Sequence, residues 1–214
     1  MNPIVSRVMS TVAGQLGNPH GLPGKAVAGL LNRSNRPMIK AAVTAAEITP
    51  GDAAADIGFG GGIGLTLLLH RIGTGTVTGV EPSPDMLMRA RSKFASDVSA
   101  NRLRLAEGSL TELPLPDDSQ DAVITCNTIY FVPDLKRACT ELSRVLKPEG
   151  RVVIGIGDPD IMAKMPFTSY GFTLRPVAEV EEALERAGLT VDRRPLPLKP
   201  VPVPGHLLIA RPSE

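Results

Sequence analysis

The run Asp56-Ile57-Gly58-Phe59-Gly60-Gly61-Gly62-Ile63-Gly64 carries the strongest chemical signal in the chain. Glycines let a backbone turn tightly and come closer to a ligand than any side chain would permit. Further on, Glu81 closes a β-branched stretch, Thr76 to Val80. A carboxylate at such a strand end can accept hydrogen bonds from both hydroxyls of a ribose. Known glycine templates discriminate between nucleotides. The dinucleotide fingerprint needs glycine, or alanine last, at n, n+2 and n+5. Starting at Gly58, Gly60 or Gly62, the third place falls on Ile63, Leu65 or Leu67, so no register fits. A phosphate loop needs Gly-Lys-Ser or Gly-Lys-Thr, and this run has no lysine. The spacing present is Asp-x-Gly-x-Gly-x-Gly, at Asp56, Gly58, Gly60 and Gly62. A ligand-free turn is the plain alternative, and so many glycines in one turn weigh against it.

Other reactive side chains are scattered. His20 lies in the loop Gly17-Asn18-Pro19-His20-Gly21-Leu22-Pro23-Gly24. Imidazole is the side chain that changes charge near neutral pH. His20 therefore reads as a base, a substrate contact, or a solvated loop residue. Tyr130 reads as an acceptor contact or as a half-buried ring with a satisfied hydroxyl. Asp158 and Asp160 form a base or a weak metal pair on paper. With no further ligands near them a solvated loop is favoured, and no metal site is expected. His70 and His206 read as structural, and Cys126 as a small buried residue. Met162 and Met165 line either a lid or the core.

Bulk numbers exclude other classes. The chain has 214 residues, with 23 Lys plus Arg against 22 Asp plus Glu. That balance gives no global field for nucleic acid or an anionic membrane. Cys126 and Cys139 have no metal or disulfide spacing. Met1 to Gly17 contains Arg7 and no long apolar run, so a signal peptide is not expected. The longest uncharged stretch, Ile57 to Leu69, is too short to span a bilayer. A cytoplasmic protein without a membrane span is expected. Aromatic residues are only 3% of the chain, so the core must be aliphatic. Five of the seven rings, Tyr130, Phe131, Phe167, Tyr170 and Phe172, fall close together. Phe59 sits in the glycine run and Phe94 elsewhere.

Strands and helices must position these groups, and their pattern alternates. Arg36 to Glu47 reads as a helix. Strands are expected at Ala53 to Ile57, Thr76 to Val80, Leu103 to Ala106, Ala122 to Cys126 and Val152 to Ile156. Helices are expected at Ile63 to His70, Pro84 to Phe94, Asp134 to Leu146 and Val177 to Ala187. Lys147-Pro148-Glu149-Gly150 reads as the stop of the third of these, and Gly188 as the C′ of the last. Thr190 to Arg194 and His206 to Ala210 read as two strands in succession, bracketing Pro195, Pro197, Pro200, Pro202 and Pro204. Such a proline series fits an edge strand or a polyproline connection. The sum is an α/β domain: a doubly wound, mostly parallel sheet with a C-terminal antiparallel hairpin. Residues 1–48 are expected to form a helical and loop cap, and 49–214 the main domain.

Four ordered segments together resemble the class I S-adenosylmethionine-dependent methyltransferases. They are the glycine run, Gly79-Val80-Glu81-Pro82-Ser83-Pro84-Asp85-Met86, the stretch from Glu107-Gly108-Ser109 to Asp121-Ala122-Val123, and Leu142 through Gly150. More narrowly, the chain is similar to the branch that includes ubiquinone and menaquinone biosynthesis methyltransferases. The resemblance spans roughly Gly51 to Gly157. It implies a seven-stranded, Rossmann-like sheet of order 3-2-1-4-5-7-6 and S-adenosylmethionine as cofactor. It also implies roles. Asp56 fixes the loop and faces the cofactor's ammonium, and Gly58, Gly60 and Gly62 lie along its methionine part. Glu81, with Pro82 after it, takes the ribose, Ser109 and Leu110 the adenine, and Asn127 bounds the methionine end. Ser109 departs from the family's common Asp, and Gln120 from its usual Phe. Asn127-Thr128-Ile129-Tyr130 stands where amino-methylating relatives carry Asn-Pro-Pro-Tyr. The missing prolines argue against nucleic-acid or protein-glutamine substrates. Methyl transfer to a small apolar or aromatic acceptor, at oxygen or carbon, is the expected activity. His20 and Tyr130 are its candidate catalytic residues. A non-catalytic cofactor-binding partner protein is the rival expectation.

Overall fold

A computed structural model describes residues 35–166, 168–197 and 204–213. The strands are β1 Ala53–Ile57, β2 Thr76–Glu81, β3 Leu103–Glu107, β4 Gln120–Cys126, β5 Leu146–Gly157, β6 Leu189–Leu196 and β7 Gly205–Pro212. They form one sheet of order β3-β2-β1-β4-β5-β7-β6. β1 to β5 are mutually parallel, and β7 runs antiparallel to both β5 and β6. This is the order that the family resemblance implies.

Helices cover both faces. On one face lie α1 (35–45), α2 Ile63–Arg71 and α3 Pro84–Lys93. They bury Met38, Ala42 and Val43, Leu65, Leu68 and Ile72, and Met86 and Leu87 against β1, β2 and β7. α4 Ala95–Ser99 follows α3. On the other face α5 Leu135–Val145 and α7 Val177–Arg186 bury Leu135, Ala138, Leu142, Val180 and Leu184 against β4 and β5. The short α6 Pro159–Met162 follows β5. Side chains on the strands alternate between the two apolar layers, as in a sheet covered on both sides. α1 shares one of these layers, so it packs as part of the sheet's own core.

Boundaries differ from expectation in instructive places. The sequence reads Lys147 to Gly150 as a turn after a helix, but β5 already begins at Leu146. The ladder passes from Gln120↔Leu146 directly to Ala122↔Arg151, leaving the residues between as an irregularity. Pro148 has no N–H to give a ladder. Gly150 is required there, because a Cβ would lie 2.7 Å from the Gln120 carbonyl oxygen. α1 stops short of Glu47, which has φ +50. Pro195 lies in β6, which ends the sheet and pairs only with β7, so its missing donor faces no partner strand. Pro200 and Pro202 lie outside the described residues.

Candidate active site

The carboxyl ends of the parallel strands bring the predicted residues to one rim. The glycine loop leaves β1 and enters α2. Gly58, Gly60 and Gly62 have φ of +71, +49 and +73, a left-handed path that only glycine follows without strain. The Gly58 N–H donates to the Val80 carbonyl at 2.7 Å, tying the loop to β2. A Cβ on Gly60 would meet nothing within 4 Å, so the loop is open there.

Glu81 is fixed by the same loop. Its carboxylate accepts the Gly60 N–H at 2.9 Å and the Ser83 N–H at 3.2 Å. It is buried, and burial pushes its pKa up while the two amide donors hold it down. Asp56 lies beneath. Burial first, then the nearby Glu81 charge, push its carboxyl up to about 8, against one donor from the Leu65 N–H. A Cβ on Gly64 would fall 2.1 Å from Asp56 Oδ2. Asp56 therefore sits inside the first turn of α2, and Gly64 is what makes room for it.

Beside Glu81, a cleft of about 460 Å³ opens between the ends of β2 and β3, with Pro82, Gly108, Ser109 and Glu112 among its walls. Ser109 is held by a backbone bridge to Glu112 and by a 3.0 Å contact with the Thr111 hydroxyl. The Leu110 side chain is buried in the core below. These features fit a nucleoside: a carboxylate fixed at the strand end, an open glycine face and, beside it, a cleft with no cationic side chain in its lining. The sequence from Asp56 to Gly64 has no cationic side chain to favour a phosphate.

At the end of β4, Asn127 has φ +57 and donates its N–H to the Gly155 carbonyl at 2.8 Å. Its side-chain oxygen lies 3.4 Å from the Tyr130 hydroxyl. Tyr130 is buried, and its hydroxyl accepts the Gly157 N–H at 2.5 Å. Burial pushes its pKa well above the ordinary tyrosine value. Burial, then the Asp56 charge, likewise push the Cys126 thiol up, which leaves it protonated. Phe172 packs on Phe131 at 4.7 Å and on Tyr130 at 5.8 Å, making a three-ring cluster. The Thr173 N–H donates to the Tyr130 carbonyl at 2.8 Å, and Arg175 donates to the Val132 carbonyl at 2.7 Å. These bonds hold residues 172–175 against the loop after β4. Met162 joins the core, and Met165 packs partly buried beside it.

His20 and Phe167 lie outside the described residues. Four residues that the sequence leaves unassigned join the rim. Thr128 packs on Gly58 so tightly that a Cβ there would fall 2.6 Å from its hydroxyl. Phe94, read as lying elsewhere, lays its ring against Gly62, 3.0 Å from where a Cβ would sit. Gly64 stood in the motif with no role. Arg175 carried no signal at all, because its partners are backbone carbonyls far back in the chain. Asp158 and His206 also meet, with Asp158 Oδ2 3.6 Å from His206 Nε2. Among the described residues no group of three or more His, Cys, Asp or Glu could hold a metal ion. Nor is any described helix long and apolar enough to cross a membrane.

Residues 55–154 match the family described as "Methyltransferase domain". The phosphatidylethanolamine N-methyltransferase of Cereibacter sphaeroides is 31% identical over 144 residues, 67% of this chain and 64% of that protein. The ubiquinone/menaquinone biosynthesis C-methyltransferase UbiE of Geotalea daltonii is 30% identical over 114 residues, 53% of this chain and 48% of that protein. The chain spans between 30% and 64% of the length of the first curated relatives it matches. Among solved structures, a putative methyltransferase in complex with the Haloferax volcanii Trm112 methyltransferase activator superposes with a TM-score of 0.76 at 21% identity. That match covers 96% of this chain and 98% of the other.

Proposed function

We propose that the chain transfers a methyl group from S-adenosylmethionine to a small acceptor, a reading supported by the match of residues 55–154 to a methyltransferase domain. The observation that carries this reading is Glu81, fixed by the Gly60 and Ser83 amides beside a glycine loop whose own residues carry no cation. Its unused lone pairs suit the two ribose hydroxyls. Pro82, Ser109 and the Leu110 backbone suit the adenine in the neighbouring cleft. Gly58, Gly60 and Gly62 suit the uncharged length of the methionine, and Asn127 its far end.

The cofactor supplies a methyl already activated on a sulfonium, so the protein has chiefly to position the acceptor and keep water out. Tyr130, with its hydroxyl occupied, positions the end of β5. Phe131 and Phe172 give the acceptor side an apolar, partly aromatic wall. This wall favours a small apolar or aromatic acceptor, methylated at oxygen or carbon. Asn127-Thr128-Ile129-Tyr130 lacks the paired prolines of amino-methylating relatives, which argues against nucleic-acid substrates. A cytoplasmic location suits such chemistry.

A thermal-shift comparison tests the cofactor. S-adenosylhomocysteine is expected to stabilise the chain and NAD to leave it unchanged; stabilisation by NAD alone overturns the reading. Glu81→Ala removes the ribose acceptor and leaves the Gly60 and Ser83 amides unpaired. It is expected to weaken S-adenosylhomocysteine by roughly a hundredfold, the scale of a lost charged hydrogen-bonding group, when measured by calorimetry.

A further inference from the structure

We propose that Glu112 is the residue that reads the base of the cofactor, accepting a hydrogen bond from the adenine amino group. This deepens the reading above and rests on it. With Glu81 taking the ribose, the attached base has to lie beside it. The cleft of about 460 Å³ between the ends of β2 and β3 is the space that opens there. Glu112 forms part of its wall and is exposed. Among the described residues no hydrogen bond or ion pair engages the Glu112 carboxylate.

The backbone that carries Glu112 is pinned, while its side chain is not. Ser109 and Glu112 form an antiparallel bridge and exchange both N–H···O bonds, at 3.4 Å from the Ser109 N–H and 3.1 Å from the Glu112 N–H. Directly opposed residues of such a pair carry their side chains on the same side, with Cβ atoms about 5.5 Å apart. The Glu112 carboxylate therefore stands beside the Ser109 hydroxyl, on a longer side chain. On either flank α5 holds the turn. Arg137 donates to the Thr111 carbonyl at 2.7 Å, and Glu141 accepts the Leu113 N–H at 2.8 Å. Glu141 is held in turn by Arg144. A group borne on a pinned backbone is aimed before its ligand arrives.

Chemistry assigns the reading to Glu112 rather than to its neighbours. The adenine edge offers an amino donor at C6 beside an acceptor nitrogen, N1. The Leu110 N–H takes no partner among the described residues and can meet the ring nitrogen. The amino group needs an acceptor. Ser109 Oγ lies 3.0 Å from Thr111 Oγ1, so each hydroxyl already has a partner. A hydroxyl also donates as readily as it accepts, and so does not tell an amino group from a carbonyl. An ionised carboxylate only accepts. Glu107 is the other carboxylate of the cleft, but it stands level with Glu81 in the β2–β3 ladder, at the sugar's end. Glu112, across the turn from Ser109, is at the end where the base lies.

Calorimetry of the full chain tests this with two ligands, S-adenosylhomocysteine and its 6-deamino analogue, in which unsubstituted purine replaces adenine. The wild-type chain is expected to bind S-adenosylhomocysteine about tenfold more tightly than the analogue, the scale of one hydrogen bond to a charged group. Glu112→Ala is expected to weaken S-adenosylhomocysteine about tenfold, to leave the analogue unchanged and so to abolish the preference. Its ligand-free melting temperature is expected to match the wild type's, since exposed positions tolerate substitution. Ser109→Ala and Glu107→Ala are expected to change both affinities alike and to keep the preference. A preference that survives Glu112→Ala overturns the assignment. So does its removal by Ser109→Ala or Glu107→Ala, or a wild-type chain that binds both ligands equally. A wild-type chain that binds neither would instead sink the cofactor reading, and this assignment with it.

Discussion

The two halves of the rim are built by different means. On the β1–β2–β3 side, the charged groups are held by backbone. Glu81 takes amides from Gly60 and Ser83, Asp56 takes one from Leu65, and the loop returns to Val80. On the β4–β5–β7 side, side chains also meet one another. Tyr130 meets Asn127 and Phe172, Phe172 meets Phe131, and Asp158 meets His206. Backbone holds a geometry that hardly depends on neighbouring side chains, which suits an invariant ligand. Side-chain contacts can be exchanged one by one, which suits an acceptor that differs between relatives.

The largest effect expected from this division is electrostatic. Asp56 is pushed from 3.8 to about 8, so the folded chain holds a proton that the unfolded chain releases. The stability it contributes is complete below about pH 4 and is lost as the pH climbs through 8. Glu81, also pushed up by burial, acts in the same sense. Denaturant midpoints are expected to fall between pH 5 and pH 8, by up to about 1.4 kcal/mol per pH unit for one group. Asp56→Asn is expected to flatten the profile, leaving the part due to Glu81. A wild-type profile already flat would mean that Asp56 is charged in the fold, and the contrast between the halves would fail at its base.

A smaller effect belongs to the backbone itself. Gly64→Ala puts a Cβ 2.1 Å from Asp56 Oδ2 and 3.1 Å from Ile124 Cδ1. Neither neighbour can retreat without disturbing the start of α2 or the core, so a loss of about 3 kcal/mol is expected in denaturant unfolding. Gly60→Ala meets no atom within 4 Å and carries only the strain of φ +49, which is about 1 kcal/mol. Equal losses in the two variants would show that conformation, not room for Asp56, sets the glycine requirement.

The same division explains what the sequence discloses. The strands, the glycine loop and Glu81 are legible because each follows from a local pattern: apolar alternation, glycine spacing, a carboxylate at a strand end; the order of the sheet is legible only through the family resemblance. Gly64 is half legible, since its place in the run is visible but the carboxylate it accommodates is not. Phe94 reads as remote because it closes α3, and only packing brings its ring to Gly62. Thr128 looks like a mere lack of proline until Gly58 is seen against it. Arg175, Asp158 and His206 find their partners across long loops, and no periodicity announces such a meeting. The segment 147–150 misleads for the opposite reason. Pro148 and Gly150 are true turn residues, used here to carry a strand past an irregular pairing.

Tyr130 is where the two means of construction meet. Its hydroxyl is the acceptor for the Gly157 N–H, and Gly157 immediately precedes Asp158. Tyr130→Phe keeps the ring against Phe131 and Phe172 but leaves that buried amide without a partner. A loss of about 2 kcal/mol in unfolding free energy is expected. Because Glu81 and the glycine loop do not depend on this hydroxyl, S-adenosylhomocysteine affinity by calorimetry is expected to stay within twofold. Transfer to a phenol should fall moderately, through misplacement of the end of β5. A variant with full stability but no transfer would make the hydroxyl itself a partner of the acceptor. A variant that loses cofactor affinity would join Tyr130 to the other half of the rim, by way of Asn127.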